Sequence, residues 1–356
     1  MAALDKPQRD LRGDAGTLVA SAPMRTADVG GWTDTWFARV GVVCNVALGR
    51  RTEVRLRTDR SGSPDVRLHV ELTGDRYDVD VAKGASQPGR HPMLEQALVT
   101  LPPPPGTTVE VGADHTEGSG LGGSASVVVA MVAALSAVRN EGRGPMDIAR
   151  LAHQCETGAG REAGVQDHVA AAFGGVSAID VAYPEATRTA IHLGGAVQSA
   201  LGRRLLTVVF GTAHSSTEVH REVIERMALT STRVALDEVR AAARLAIDAL
   251  RRGDLHEYGR ALTNNHEALR SMHPGTISND VDELAALASR HGAAGWKVNG
   301  AGGAGGSMAI LASADPVARA ALVAAIAARP PWSIIDAPLD PDGVRTEWTP
   351  SEEQPT

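Results

Sequence analysis

The sequence predicts an α+β protein built as two domains. Short runs that alternate apolar and charged side chains dominate the first hundred residues, which is the pattern of half-buried strands. The second half interleaves strand-like runs with long helical patterns, and a chain of 356 residues suffices for two ordinary cores. The expected domains are 17–190 and 200–345, separated by a connector over 183–202 that carries Pro184 and Gly194-Gly195.

In chain order, residues 1–16 are polar and expected to fray, as is the tail from about Thr349. Thr17–Ala22 reads as a strand ending at Pro23; Gly41–Leu48 and Thr52–Thr58 read as two more. Val66–Leu72 and Tyr77–Val81 form a hairpin across Gly74-Asp75, and His91–Leu101 a short helix stopped by Pro102–Pro105. After the strand Thr107–Val111 the chain enters a glycine-rich loop and an apolar helix. Helices follow at Asp147–Gly158 and within Gly164–Phe173, then the strand Val176–Val181. Beyond the connector come the strand Leu205–Phe210, helices Thr232–Arg252, Leu255–Met272 and Asp280–His291, the strand Ser307–Ala312, the helix Pro316–Ala328 and a last strand, Trp332–Asp336.

Composition narrows the function. With 3% aromatic residues and 43% hydrophobic residues, the cores must rest on Val, Leu and Ala. A net charge of -7 argues against a nucleic-acid partner. Cys44 and Cys155, the only cysteines, are too few for a disulfide framework or a cysteine metal cluster. No apolar run is long enough for a membrane span and no signal-peptide core appears, so the expectation is a cytoplasmic protein without membrane attachment.

The stretch 117–139 carries the chemistry. Gly118, Ser119, Gly120, Leu121, Gly122 and Gly123 lead into Ser124, Ala125 and an uncharged run up to Arg139. Glycines let the backbone approach an anion, and the helix start beyond them offers unpaired N–H groups and the positive end of its dipole. The pattern reads as a phosphate loop, with Ser124 as N-cap, phosphate contact or Mg²⁺ ligand. It lacks the Gly-Lys-Ser/Thr of a Walker loop. Asp167 follows a glycine-rich segment, where a carboxylate can be presented at the mouth of a fold or sit as a charge on a helix dipole. Taken alone, Glu156 is a solvated carboxylate, Arg25 a surface arginine and Asp34 a turn residue. His214, Glu218 and His220 suggest a metal site, but only His214 and Glu218 lie four apart, so a capping box starting at Ser215 or Ser216 explains them better.

Four pieces stand in one order: Ala22-Pro23-Met24-Arg25 with Gly30-Gly31-Trp32-Thr33-Asp34, the glycine loop, Glu156 with Asp167, and Lys297–Gly306. Over about residues 20–315 this arrangement resembles the GHMP kinases, the family of galactose, homoserine, mevalonate and phosphomevalonate kinases. Gly120-Leu121-Gly122-Gly123-Ser124-Ala125 matches the family's Gly-Leu-Gly-Ser-Ser-Ala with Gly123 in place of the first Ser, and Thr116 stands where Pro is usual. Lys297–Gly305 matches Lys-x-x-Gly-Ala-Gly-Gly-Gly-Gly with Ala304 in place of a Gly. Gly30–Asp34 and Gly164–Gly175 look most like the branch that phosphorylates heptose 7-phosphate and fucose, except that Trp32 stands where a small residue is usual.

The resemblance implies an N-terminal ATP-binding domain with a left-handed βαβ unit and a ferredoxin-like C-terminal domain, with ATP and Mg²⁺ as cofactors. It implies Asp167 as catalytic base, Arg25 as the cation that stabilises the transferring phosphoryl group, and Ser124 and Glu156 as Mg²⁺ ligands. Residues 118–125 would bind the nucleotide. Gly31, Trp32, Thr33, Asp34, Gly302 and Gly303 would shape the sugar site, with His214 bordering it. The partner would be a sugar or sugar phosphate, with Arg90, Arg203 and Arg204 as candidate contacts for an acceptor phosphate; a homodimer is left open. The alternatives are a galactokinase-like or other small-alcohol kinase and a non-catalytic sugar sensor on the same fold.

Overall fold

The computed structural model describes residues 16–58, 65–82, 89–113, 118–211 and 216–350. Its first domain runs β1 (Gly16–Val29), β2 (Val40–Thr58), β3 (Val66–Val70), β4 (Asp75–Val79), α1 (Pro92–Thr100), β5 (Thr107–Ala113), α2 (Gly123–Val138), α3 (Pro145–Gly158), α4 (Gln166–Phe173), β6 (Val176–Ala182) and β7 (Glu185–Ala190). The chain continues through α5 (Gly195–Arg204), β8 (Leu205–Val209), α6 (Ser216–Glu225), α7 (Thr230–Arg252), α8 (Leu255–Met272), α9 (Asn279–Arg290), β9 (Gly295–Val298), β10 (Ser307–Leu311), α10 (Pro316–Ala327), β11 (Ser333–Ile334) and β12 (Arg345–Pro350). This is a two-domain α+β fold, the class expected from the sequence.

The eight-stranded sheet runs β12-β1-β2-β5-β3-β4, with β6 and then β7 joined to the other half of β2. The two strands expected at Gly41–Leu48 and Thr52–Thr58 are one 19-residue strand, whose first part pairs β6 and second part β5. Strand β3 lies parallel to β5, and the chain reaches β5 through β4 and α1. Helix α2 is apolar all round and twelve of its residues are buried, as a helix must be when sheet and helices enclose it. The second sheet, β11-β8-β10-β9, is antiparallel throughout, and its order and connections are those of a ferredoxin-like unit.

Four further elements differ from the sequence reading. The connector 183–202 holds β7 and most of α5, and Arg345–Pro350, running into the expected frayed tail, forms β12, which pairs with β1. Gly16–Val29 is one strand through Pro23, where the register with β2 shifts by a bulge.

A third apolar cluster joins the domains. Val29, Val42, Cys44 and Val46 of the first sheet meet Ala242, Ala243, Ala246 and Ile247 of α7 and Tyr258, Ala261 and Leu262 of α8. The alanine stripe on α7 permits that close approach. It also fixes Gly30: at φ +99, a Cβ there would lie 2.1 Å from the Val42 carbonyl oxygen and 2.8 Å from Ala243 Cβ.

Candidate functional site

The site forms where the start of α2, the end of β1 and the start of α4 meet the loop after β9. Gly118, Gly120 and Gly122 have φ of 73°, 72° and 72°, so the glycine loop follows a left-handed path that side chains resist. Gly122 is the N-cap of α2 and provides no side-chain cap, which leaves the first amides of the helix for an external anion. Ser124 is therefore not the N-cap but the second helical residue. Its Oγ donates to Glu156 Oε1 at 2.7 Å and lies 3.2 Å from Met93 Sδ.

Close packing holds this loop against its neighbours. A Cβ on Gly122 would lie 3.2 Å from Asp167 Cγ, and one on Gly120 would lie 2.9 Å from the Asn299 carbonyl oxygen. The two glycine-rich runs are thus back to back, 180 residues apart in sequence. Gly302, Gly303, Gly305 and Gly306 all have positive φ while Ala304 does not, which is why a side chain is accepted at 304 alone.

Arg25 and Asp167 form a bidentate pair: Nε donates to Oδ1 at 2.8 Å and Nη2 to Oδ2 at 3.1 Å. Arg25 Nη1 also donates to the Gly120 carbonyl, tying the cation to the glycine loop. Burial works against the guanidinium charge, but Asp167 and then Asp28 overcome it and raise its pKa. Asp167 keeps 27% of its side chain exposed while Arg25 keeps 4%, so the carboxylate is the member open to a ligand. On the other side of the α2 N-terminus, Glu156 Oε2 lies 2.8 Å from His168 Nε2. Burial opposes the Glu156 charge, yet His168 and Ser124 lower its pKa, so it is held as a carboxylate.

Ser124 and Glu156 thus offer two oxygen donors, the kind a hard divalent cation takes, with His168 orienting the carboxylate from behind. Among the described residues no group of three or more His, Cys, Asp or Glu could hold a metal alone. A cation here would complete its shell from a bound phosphate and water, and the residues present fit that arrangement.

All of these groups line a cleft of 1010 Å³, which has room for a nucleotide and a second small molecule. Near Ser124 its wall is apolar, formed by Val70, Leu72, Met93, Leu94 and Val111, with Arg90 and His91 at the rim. Near Asp167 it is lined by Trp36, the 160–164 loop and His220, Arg221, Ile224 and Glu225 of α6.

The remaining predicted residues are placed differently. Asp34 is 2% exposed and lies one layer behind the cleft, under Gly164, whose Cβ would fall 2.1 Å from Asp34 Oδ2. It accepts from Gln166 N at 3.0 Å, the residue before Asp167, and burial pushes its pKa up to about 6. Thr33 spends its hydroxyl on the Gly30 and Val42 carbonyls. Trp32, at φ 79°, faces the second-domain core behind His220 rather than the cleft. Gly31 packs on Asp28, while Gly302 and Gly303 pack on Thr276. The structure does not bring these six to the cleft wall. His214 lies outside the described residues. Arg204 caps the Ala312 carbonyl and Arg203 bonds Ser199, away from the cleft; Arg90 lines it.

Sequence reasoning missed Asp28. Buried between the domains, its Oδ1 accepts from Lys297 Nζ at 2.7 Å and its Oδ2 from Gly300 N at 3.1 Å and Gln166 Nε2 at 3.3 Å. Arg25 Nη2 is 3.5 Å away. Nothing local marks this residue, because its partners are up to 272 positions distant.

Residues 91–175 match the family model for the GHMP kinases N terminal domain, and residues 246–329 that for the GHMP kinases C terminal domain. A bifunctional fucokinase/GDP-fucose pyrophosphorylase of Arabidopsis thaliana is 25% identical over 323 residues, 82% of this chain. The match spans only 30% of that relative's length. A galactokinase of Mycobacterium tuberculosis is 27% identical over 340 residues, covering 84% of this chain and 90% of that protein. Two solved structures share the fold. A D-glycero-D-manno-heptose 1-phosphate kinase from Bacteriodes thetaiotaomicron has a TM-score of 0.73 at 19% identity, covering 93% of this chain and 98% of that one. A Lactococcus lactis galactokinase complexed with galactose has a TM-score of 0.73 at 17% identity, with 92% and 95% covered.

Proposed function

Because the chain belongs to the GHMP kinases, carrying both the N-terminal and the C-terminal domain of that family, we propose that it is an ATP- and Mg²⁺-dependent sugar kinase. The observation that carries this reading is the bidentate Arg25–Asp167 pair set against an uncapped, glycine-fed helix N-terminus. Phosphoryl transfer is mostly positioning and charge neutralisation, and these are the groups it requires.

The glycine loop and the first amides of α2 hold the phosphates of ATP. Asp167 takes the proton of the acceptor hydroxyl as its oxygen bonds to the γ-phosphorus and the bond to the ADP oxygen breaks. Arg25, fixed by Asp167 and by the Gly120 carbonyl, places its charge beside the transferring group. Mg²⁺, held by Ser124 and Glu156, supplies neutralisation of phosphate charge. Asp34 and Gln166 fix the start of α4 and so aim Asp167.

The acceptor we favour is a hydroxyl of a heptose, including its 7-phosphate, or of a 6-deoxyhexose such as fucose. Gly30–Asp34 and Gly164–Gly175 support this, as do the fucokinase relative and the heptose 1-phosphate kinase of like fold. The 27% identical galactokinase, matched over nearly its whole length, supports galactose as the second reading. A sugar sensor would have no use for both the Arg25–Asp167 and the Ser124–Glu156 pairs. The test is ADP release from Mg²⁺-ATP against heptoses, heptose 7-phosphate, fucose, galactose and mevalonate. Turnover on one sugar is expected; ATP binding with no turnover on any of them would overturn the reading.

A further inference from the structure

Trp36 stands out in a chain with only five tryptophans, because it is 46% exposed and lines the cleft. Trp32 and Trp332 are buried and Trp296 and Trp348 half-buried, so Trp36 alone offers a large open ring face. That ring is fixed. Its indole N–H donates to Glu162 Oε2, and Phe37 packs edge-on against it at 5.6 Å between centroids and 83° between planes.

Its location selects the ligand. Glu162 lies two residues from Gly164, which covers Asp34, and five from Asp167; His220 and Ile224 of α6 line the same end. The apolar wall suited to a nucleotide base lies beyond Ser124, next to Met93. An open aromatic face on the Asp167 side is therefore placed for the acceptor. Arg161, Glu162, Arg221 and Glu225 line the same cleft, and Glu162 bonds the ring's N–H, so polar side chains accompany the apolar ring. A sugar ring has that complementary form, with a face of C–H bonds and an edge of hydroxyls.

We propose that Trp36 is the platform on which the acceptor's ring lies, with the 160–164 loop and α6 contacting its hydroxyls; this rests on the sugar-kinase reading above. The preset ring loses little freedom on binding, so stacking adds affinity for the sugar without touching the nucleotide.

The test is calorimetric binding of fucose, galactose and heptose 7-phosphate in the presence of a non-hydrolysable ATP analogue. The parent, Trp36→Ala and Trp36→Phe are compared, and KM values are measured on whichever sugar turns over. Trp36→Ala is expected to weaken the sugar about tenfold while analogue affinity and KM for ATP change less than twofold, and Trp36→Phe to stay within about threefold of the parent. An unchanged analogue affinity also shows that the variants fold. Trp36→Ala within twofold of the parent for the sugar overturns the platform and leaves the kinase reading standing. Trp36→Phe as weak as Trp36→Ala also overturns it, since the bond to Glu162 rather than the ring would then be what matters. A parent that binds none of the three sugars overturns both.

Discussion

Two ion pairs begin three residues apart on β1, and their fates differ. Arg25 pairs with Asp167 at the edge of the cleft, where the carboxylate keeps 27% of its side chain in solvent. Asp28 pairs with Lys297 between the domains, where each side chain is 1% exposed. Burial lowers the Lys297 pKa, and Asp28 counters that shift. The chemistry of the two pairs is alike; the access is not. A carboxylate that a ligand can reach can exchange a proton with it. A sealed one can only fix the groups around it, and Asp28 fixes Lys297, Gly300, Gln166 and Arg25 at once. The inner pair joins the late glycine run to the strand that carries Arg25.

The largest effect that tests this contrast is on catalysis. Asp167→Asn should lower kcat by about 10²–10⁴ with the fold intact by circular dichroism, since it removes the proposed base and not the packing. A fall of less than tenfold would mean that Asp167 only anchors Arg25, and the contrast would collapse. Next comes stability. Lys297→Met leaves buried Asp28 with only Arg25, 3.5 Å away and already paired with Asp167, and should cost about 3–5 kcal/mol in urea unfolding. The double variant Asp28→Leu/Lys297→Met should recover much of that, because no charge is left stranded. A double variant as unstable as the sum of the two singles would show that the pair is not coupled. A smaller effect is expected at Glu156, which His168 orients and Ser124 bonds. Glu156→Gln should raise the Mg²⁺ concentration for half-maximal ADP release about 10–100-fold. An unchanged Mg²⁺ dependence would remove Glu156 from the metal.

The parts of this site that were legible in the sequence are those whose physics is local. A run of glycines before an apolar helix announces its own geometry, and the structure reproduces the loop and α2; the left-handed path of the glycines after Lys297 is a finding of the structure. The pairing of Arg25 with Asp167 spans 142 positions and became readable only through the resemblance to a family. Asp28 had neither route. The resemblance set two further residues at the sugar site that the fold places elsewhere. Thr33 and Trp32 belong to the motif, yet one spends its hydroxyl on backbone and the other fills the second core. Among the elements, β7 reads Glu-Ala-Thr-Arg-Thr-Ala and β12 is polar as well, so neither carries the apolar alternation that marks a strand facing a core. Both lie at sheet edges, where their neighbours supply the order.

Asp34 lies between the two pairs and gives the finest test. It is buried like Asp28, but among the described residues no cation pairs with it, and burial pushes its pKa up to about 6 from 3.8. The Gln166 amide pulls the other way and the charge of Asp167 adds to the rise. Since the folded-state value exceeds the unfolded one, the folded protein holds this proton more tightly. The benefit is complete below about pH 4 and is lost as the pH rises through 6, where the carboxylate must ionise in a dry site. Asn cannot ionise, and its oxygen can still accept from Gln166. Asp34→Asn should therefore be more stable than the parent by about 1–2 kcal/mol at pH 7.5, short of the full shift because the new amide needs an acceptor of its own. The gain should fade towards pH 4 when urea midpoints are followed across that range. A gain that is the same at pH 4.5 and 7.5 would mean that packing rather than titration governs the site. A loss at pH 7.5 would mean that Arg25 reaches Asp34 as it reaches Asp28 and Asp167, and the three carboxylates would then share one cation.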